Sequence, residues 1–477
     1  MDFQWTAITP HLLLAAGGFL IFCAGAFWAQ RPAWFLFALA VVATAGCGLF
    51  VVTMRPDPVE FGGMVDGGNY ARFFMVVVSL ITLLTLFFSK AYANARGFSG
   101  DEFYGLVLFA ALGMLLLSSA FHWVIFFLGL ELLSVSLYVL IGVQKREPSS
   151  TEAALKYLIM GAVASGFLTF GIAMVYAATG SMSIVQSLGG QPRNVGGSGL
   201  MLGLSLILVG MGFKLSLVPF HLWTPDVYQG APLPITAFLS TGSKVAVLAA
   251  LLRICLNSSD SVWVNIMPIL WALAALTMVV GNVTALTQNY LKRLLAYSSV
   301  AQMGYLVMAL VAVKQNGAAA VAFYAAVYAL MDLGAFSMLT ILSPQKADLD
   351  ALTDCRGLGY VYPWRAALLA LCLFSLAGLP PTAGFIGKFL LFRATIEGGF
   401  VGLALIGIVA AIISIYFYLK VIVALYMRPA EAIPTPIEVG FPAHLATTAI
   451  LILILWLGIL PSPLLDIIVH MLTSFSA

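Results

Sequence analysis

Apolar runs of helical length follow one another along almost the whole chain. A helix needs about 20 mostly apolar residues to cross a bilayer, and about fourteen runs reach that length. They cover approximately residues 9–28, 33–54, 71–90, 103–119, 121–143, 152–178, 200–225, 233–255, 262–288, 293–313, 318–344, 363–396, 400–427 and 442–470 (spans 1 to 14). The 477 residues are 62% hydrophobic and 9% charged, where a soluble domain carries about 25% charged residues. A large soluble core would need far more polar surface. The expected fold is therefore an all-α polytopic membrane protein in contact with lipid.

The same composition excludes several functions. Net charge is +3 and there is no Lys/Arg-rich run, so no nucleic-acid partner is expected. The opening MDFQWTAITPH lacks the basic region of a secretory signal peptide. Cys23, Cys47, Cys255, Cys355 and Cys372 are scattered, which suits packing rather than a disulfide frame, zinc site or iron–sulfur site. No GxGxxG or GxxxxGK[ST] loop is present. No metal or cofactor is expected on this chain. The loops after odd-numbered spans, Arg31 among them, hold about twice as many Lys and Arg as those after even-numbered spans, which hold Arg55, Arg72, Arg193, Arg253, Lys314 and Arg393. By the positive-inside rule the odd loops are cytoplasmic and both termini lie outside.

Two spans are expected to break. Span 7 reads GMGFKLSLVPFHLWTPDVYQG, with Pro219 five residues after Lys214. A proline within a helix removes a hydrogen bond and clashes with the carbonyl four residues back, here that of Leu215. Span 12 reads FSLAGLPPTAGFIGKFLLF, and Pro380-Pro381 cannot sit in an unbroken helix. Paired interruptions in two halves are the sequence mark of an inverted-repeat transporter with a midplane site. Spans 4–8 and 9–13 are the expected halves. The expected segments are residues 1–102, 103–255, 256–428 and 429–477: an N-terminal three-helix part, two repeats and a last transmembrane helix. Proline kinks that serve packing alone are the plainer alternative.

Charges inside the spans carry the functional expectation. An ion at the bilayer centre costs at least roughly 2.5–3.5 kcal/mol, and such groups commonly mark proton relays. Glu131 lies in FFLGLELLSVSLYVL, with Ser134 and Tyr138 on the same helical face. Lys214 is too deep in span 7 to snorkel. A buried lysine holds its proton weakly unless a carboxylate stands near, so moving Glu131 relative to Lys214 is a switch for proton uptake and release. Lys244 lies in FLSTGSKVAVL, where Ser240, Thr241 and Ser243 offer a hydroxyl relay. Lys388 follows the double proline and is a candidate terminal proton site. Lys156 either acts or snorkels. Asp332 is either a second-half acid or a neutral packing donor. Asp226 and His221 lie by the break of span 7, Asp226 as a cap or ion-pair partner. Lys292-Arg293 reads as an interfacial anchor. His11, His122, His444 and His470 read as structural.

The stretches FHWVIFFLGLELLSVSLYVLIG, EAALKYLIMGAVASGFLTFGIAMVYAATGS, GMGFKLSLVPFHLWTPDVYQGAPLPITAFLSTGSKVA, NVTALTQNYLKRLLAYSSVAQMGYL and LAGLPPTAGFIGKFLLF resemble the antiporter-like membrane subunits of respiratory complex I, the proton-translocating NADH–quinone oxidoreductase. FHLWTPDVYQGAP is more similar to the N type than to the L or M types, and a lysine in span 12 also argues against M. The resemblance implies that Glu131 pairs with Lys214, that Lys244 is the central lysine, that Lys388 lies near the exit, and that Lys156 is an additional lysine of N-type subunits. Asp332 departs from the expected uncharged residue. The resemblance further implies M-, K-, J- and L-like partner subunits, with NADH, FMN, iron–sulfur clusters and quinone on other subunits, and a bacterial inner membrane. It implies no long lateral helix after span 14. The rival functions are a subunit of a multi-subunit sodium/proton antiporter or membrane-bound hydrogenase, and a scaffold without transport.

Overall fold

The computed structural model describes residues 4–28, 30, 32, 34–54, 60–189, 197–315, 317–429 and 435–473. Arg31, Arg55 and Arg193, which weigh in the loop-charge expectation, lie outside the described residues. Among the described residues twelve helices are long and apolar enough to cross a membrane. They are Trp5–Phe27, Phe35–Thr53, Asn69–Arg96, Asp101–Ser119, Trp123–Ile141, Pro148–Thr179, Leu233–Asn257, Asp260–Leu286, Leu291–Val311, Gly317–Leu342, Val401–Met427 and Phe441–Ile459. These are spans 1–6, 8–11, 13 and 14, most with ends within a few residues of the expected ones. Spans 8 and 11 are buried throughout their apolar windows. They form the centre against which the other helices pack.

Spans 7 and 12 are discontinuous, and both first halves close in the same way. Helix Gly197–Lys214 ends in a turn where Leu217 N–H donates to the Gly212 carbonyl at 2.8 Å and Ser216 N–H to Phe213 at 3.1 Å. Helix Pro363–Ala377 ends with Leu379 N–H on Phe374 at 3.1 Å and Gly378 N–H on Ser375 at 3.0 Å. This is the Schellman closure, in which the first of the two donor residues in the chain takes the left-handed conformation. Gly378 takes it at φ 84°, and Ser216, against the usual glycine preference, at φ 60°. Each turn runs on to a proline after a cis peptide bond, Val218-Pro219 and Pro380-Pro381. The second halves are Thr224–Gly230 and Ala383–Glu397. Freed backbone groups find side chains: Val218 N–H donates to Thr277 Oγ1 at 3.0 Å, and Gly384 N–H to Ser375 Oγ at 3.1 Å. The expected clash at Leu215 does not arise, because the helix has already ended at Lys214.

Two other expectations are corrected. Span 14 stops at Ile459 and a separate helix, Ser462–Thr473, follows. Pro461 has no N–H to continue the ladder, and Pro463 fits the first turn of the new helix. Beside the helices stands a short antiparallel hairpin, Glu60–Phe61 with Val65–Asp66. That hairpin brings Asp66 to Arg253, at 2.7 Å. Arg253 therefore is not a loop cation facing a headgroup. It is 1% exposed, also donates to the Ser118 carbonyl at 3.1 Å, and lies over the Tyr70 and Phe121 rings.

Close backbone approach positions the first half of span 7. A Cβ on Gly171 would stand 2.7 Å from the Gly203 carbonyl oxygen, and one on Gly203 would stand 2.9 Å from that of Gly171. Small residues at a membrane helix crossing allow this approach, and it draws Lys214 toward span 6. The Arg253–Asp66 pair gives a stability test. Removing one member of a buried ion pair costs about 3–5 kcal/mol, while replacing both with apolar groups is often neutral. Arg253→Leu should lower the thermal midpoint of the purified protein, and the double variant with Asp66→Leu should recover much of the loss.

Candidate proton-transfer site

Lys214, Lys244, Lys388 and Asp332 are 3%, 1%, 4% and 0% exposed. They fall into three separate polar groups. In the first, Lys214 Nζ donates to Tyr157 Oη at 3.3 Å and stands 4.8 Å over that ring, with the Tyr138 and Phe213 rings each 5.5 Å away. Glu131 is half-buried, and Ser165 Oγ donates to its Oε1. Among the described residues no Glu131–Lys214 ion pair forms within 4.0 Å. Ser134 turns back onto the Leu130 carbonyl. The Tyr138 hydroxyl, Ser216 Oγ, His221 Nδ1 and Thr224 Oγ1 are buried without a hydrogen-bond partner among the described residues. They surround the break of span 7 with unused donors and acceptors.

The second group is built on span 8. A π-helical turn, Leu239–Ser243, directly precedes Lys244. Such turns are rare and re-aim the residues that follow. The hydroxyls beside Lys244 donate within their own helix: Ser240 and Thr241 bond the Ala237 carbonyl and Ser243 that of Leu239. Helix-internal acceptors are closer to these hydroxyls than the lysine is. Lys244 Nζ instead donates to Ser299 Oγ of span 10 at 2.6 Å. Ser299 bonds Tyr328 Oη at 2.6 Å, and the Tyr328 hydroxyl also lies 3.3 Å from Asp332 Oδ2. Asp332 thus belongs to the Lys244 group. Between the first two groups runs an aromatic stack. Tyr157 and Trp223 have centroids 4.7 Å apart, Trp223 and Tyr228 6.3 Å, and Lys244 Nζ lies 5.8 Å from the Tyr228 ring.

In the third group Lys388 Nζ donates to the carbonyls of Leu376 at 2.8 Å and Ala377 at 3.1 Å. These are end carbonyls of helix Pro363–Ala377, which carry partial negative charge and lack helical partners. A Cβ at position 378 would stand 2.9 Å from Lys388 Cδ, so Gly378 also makes room for the side chain. Gln302 Nε2 shares the Leu376 carbonyl at 3.1 Å and bonds Tyr418 Oη, while Tyr324 donates to Gln302 Oε1 at 2.6 Å. Tyr418 Oη meets Ser298 Oγ. Ser298 and Ser299 are neighbours in sequence, yet one belongs to the Lys388 group and the other to the Lys244 group.

The remaining expected residues hold the second half of span 7 in place. Asp226 receives Arg293 at 2.9 Å and Lys156 at 3.0 Å, and Lys156 also pairs with Glu152 at 2.8 Å. Lys156 is therefore ion-paired, with its side chain still partly exposed. Lys292 is no interfacial anchor, because it is buried. Its Nζ meets Asp348 Oδ2 at 2.5 Å and donates to the Gln229 and Ala231 carbonyls at 3.2 and 3.0 Å, at the end of helix Thr224–Gly230. Asp348 also accepts from Tyr92 at 2.6 Å and Arg96 at 3.0 Å. His221 is buried with its ring 6.4 Å from that of Tyr297. His11 contacts Ser119 Oγ at 3.0 Å, an internal packing contact between spans 1 and 4.

Residues 120–414 match the family described as NADH:quinone oxidoreductase/Mrp antiporter, transmembrane. The chain is 47% identical to NADH-quinone oxidoreductase subunit N 1 of Solidesulfovibrio magneticus, over 97% of each chain. The chain belongs to the NADH-quinone oxidoreductase subunit N family. Among solved structures it is similar to a chain of respiratory complex I from Thermus thermophilus with bound aureothin. The TM-score is 0.82 at 35% identity, covering 96% of this chain and 99% of that one. A chain of the Mrp complex from Dietzia sp. DQ12-45-1b has the same fold, with TM-score 0.81 at 19% identity over 98% and 96% of the two chains.

Sequence reasoning overlooks Tyr157, Ser165, Ser299, Tyr328 and Gln302. The available signal is AYSSVAQMGY, where Ser298, Ser299, Gln302 and Tyr305 interrupt an apolar span at helical spacing. Asp348 also escapes it, since loop carboxylates are commonplace. Burial by itself pushes the Asp348 carboxyl up, but Lys292, with Tyr92 and Arg96, outweighs it and holds the group below the usual carboxylate range. Its stabilisation is thus present above about pH 4 and is lost as pH falls through the lower folded value. Asp348→Asn should raise amide hydrogen exchange in residues 343–352 at neutral pH. Exchange equal to the parent would contradict this anchoring.

Proposed function

We propose that this chain is a proton-translocating membrane-arm subunit of an NADH–quinone oxidoreductase. NADH oxidation and quinone reduction take place on other subunits, where FMN and iron–sulfur clusters reside. M-, K-, J- and L-like subunits are its neighbours in a bacterial inner membrane, with both termini on the outer side. The reading rests on the relatives' names together with the buried Lys214, Lys244 and Lys388. The matched closures at Ser216–Pro219 and Gly378–Pro381 support two inverted repeats, spans 4–8 and 9–13, within fourteen crossings and the divisions 1–102, 103–255, 256–428 and 429–477.

In this mechanism a conformational or electrostatic pulse from the redox subunits moves Glu131 toward or away from Lys214. A nearby carboxylate favours the ammonium form, and its withdrawal favours proton release. The released proton passes Tyr157 and the unpartnered polar atoms of the break, reaches Lys244, and spreads over Ser299, Tyr328 and Asp332. It then crosses from Ser299 to the Ser298–Tyr418–Gln302 chain and so to Lys388, which discharges it. Lys156 and Asp226 lie on the uptake side of Lys214. A sodium/proton antiporter subunit shares the fold, but no residue favours that reading over the first. Lys214→Ala and Glu131→Ala should each remove most of the proton pumping coupled to NADH oxidation in the assembled complex. Pumping equal to the parent in both would sink the pairing.

A further inference from the structure

Away from the lysine line, a crevice of about 740 Å³ opens between spans 2, 3, 11 and 14 and the terminal helix Ser462–Thr473. Its volume lies within the roughly 300–1,000 Å³ typical of ligand sites. The walls are large apolar side chains such as Phe73, Leu80, Leu330 and Trp456. Small residues, which let a further transmembrane helix pack closely, are in the minority. Flexible hydrocarbon chains fit such walls better than a helix does.

The polar side chains lining the crevice are Asn69, Arg72, Asp466 and His470, and of these Arg72 and Asp466 carry opposite formal charges. Arg72 Nε donates to the Val51 carbonyl at 3.2 Å, Nη2 to that of Val52 at 3.2 Å, and Nη1 to Asn69 Oδ1 at 3.1 Å. Those bonds cap the end of span 2 and fix the guanidinium at the edge of the crevice. A guanidinium has five N–H donors, so two stay free. Among the described residues no carboxylate lies within 4.0 Å of Arg72. Asp466, on the terminal helix, lines the same crevice and is exposed without an ion-pair partner among the described residues. The site thus presents an anchored cation and a separate, exposed carboxylate along an apolar slot beside the helix ends. Anionic lipid would meet Asp466 with like charge.

We propose that this crevice holds one zwitterionic two-chain phospholipid of the ethanolamine class. Its phosphate takes the two free Arg72 donors as charge-assisted hydrogen bonds, its ammonium faces Asp466, and its acyl chains lie against Phe73, Leu80 and Leu330. The bound lipid would tie the terminal helix to spans 2 and 3. This inference is independent of the proton line.

The test is quantitative lipid analysis of the assembled complex, purified in mild detergent and washed free of bulk lipid. Arg72→Gln, which keeps a capping donor, and Val76→Trp, which fills the slot from the wall, should each lose one phosphatidylethanolamine per complex relative to the parent. NADH oxidation should report that both variants assemble. An unchanged phosphatidylethanolamine count in both assembled variants overturns the proposal. So does a complex structure in which the crevice holds a neighbouring subunit's helix or a phosphatidylglycerol.

Discussion

An ammonium group inside a membrane must find acceptors or be lost, and this fold supplies them by ending helices within the apolar layer. Lys388 takes the Leu376 and Ala377 carbonyls at the end of the first half of span 12. Lys214 lies in the last turn of the first half of span 7. The two lysines come from different places relative to their prolines, one before and one after. Both nevertheless belong to the C-terminal end of a half-helix, where unbonded carbonyls and the helix dipole favour positive charge. The Schellman turns at Ser216 and Gly378 are what allow these ends to exist inside the bilayer without orphaned backbone.

The three polar groups do not join into one continuous hydrogen-bonded wire. The Tyr157–Trp223–Tyr228 stack separates Lys214 from Lys244, and a single backbone step between Ser298 and Ser299 separates Lys244 from Lys388. In a proton pump such interruptions have a physical use. A permanently connected chain would let protons run back down the gradient. With two interruptions, transfer waits for a change in charge or packing, and the polar atoms around the break of span 7 can carry a proton once that change comes.

The fold was legible from the sequence wherever composition alone decides it. Twelve apolar runs appear as helices because length and hydropathy suffice for a crossing. The breaks were legible from Pro219 and Pro380-Pro381, but the place where the first helix stops was not, because Ser216 does not advertise a left-handed turn as a glycine does. The end of span 14 was missed although Pro461 and Pro463 stood in plain view, since the apolar run continues past them. Within the site, charges in apolar surroundings were conspicuous, whereas their hydrogen-bond partners were not. Ser240 looked like a partner of Lys244 by spacing, yet Ser299 takes that place through tertiary packing. Arg253 and Lys292 looked like surface cations because ion pairing to Asp66 and Asp348 depends on a hairpin and a loop far away in the chain.

The central claim is that Lys244, with a gap on each side, is the station through which protons must pass. The most direct measurement is the number of protons moved per electron by the complex in liposomes carrying Lys244→Met, a substitution of similar length without charge. The account predicts a lower ratio than the parent, with the lysine at 388 and its surroundings unchanged. A ratio and a rate both equal to the parent would contradict it.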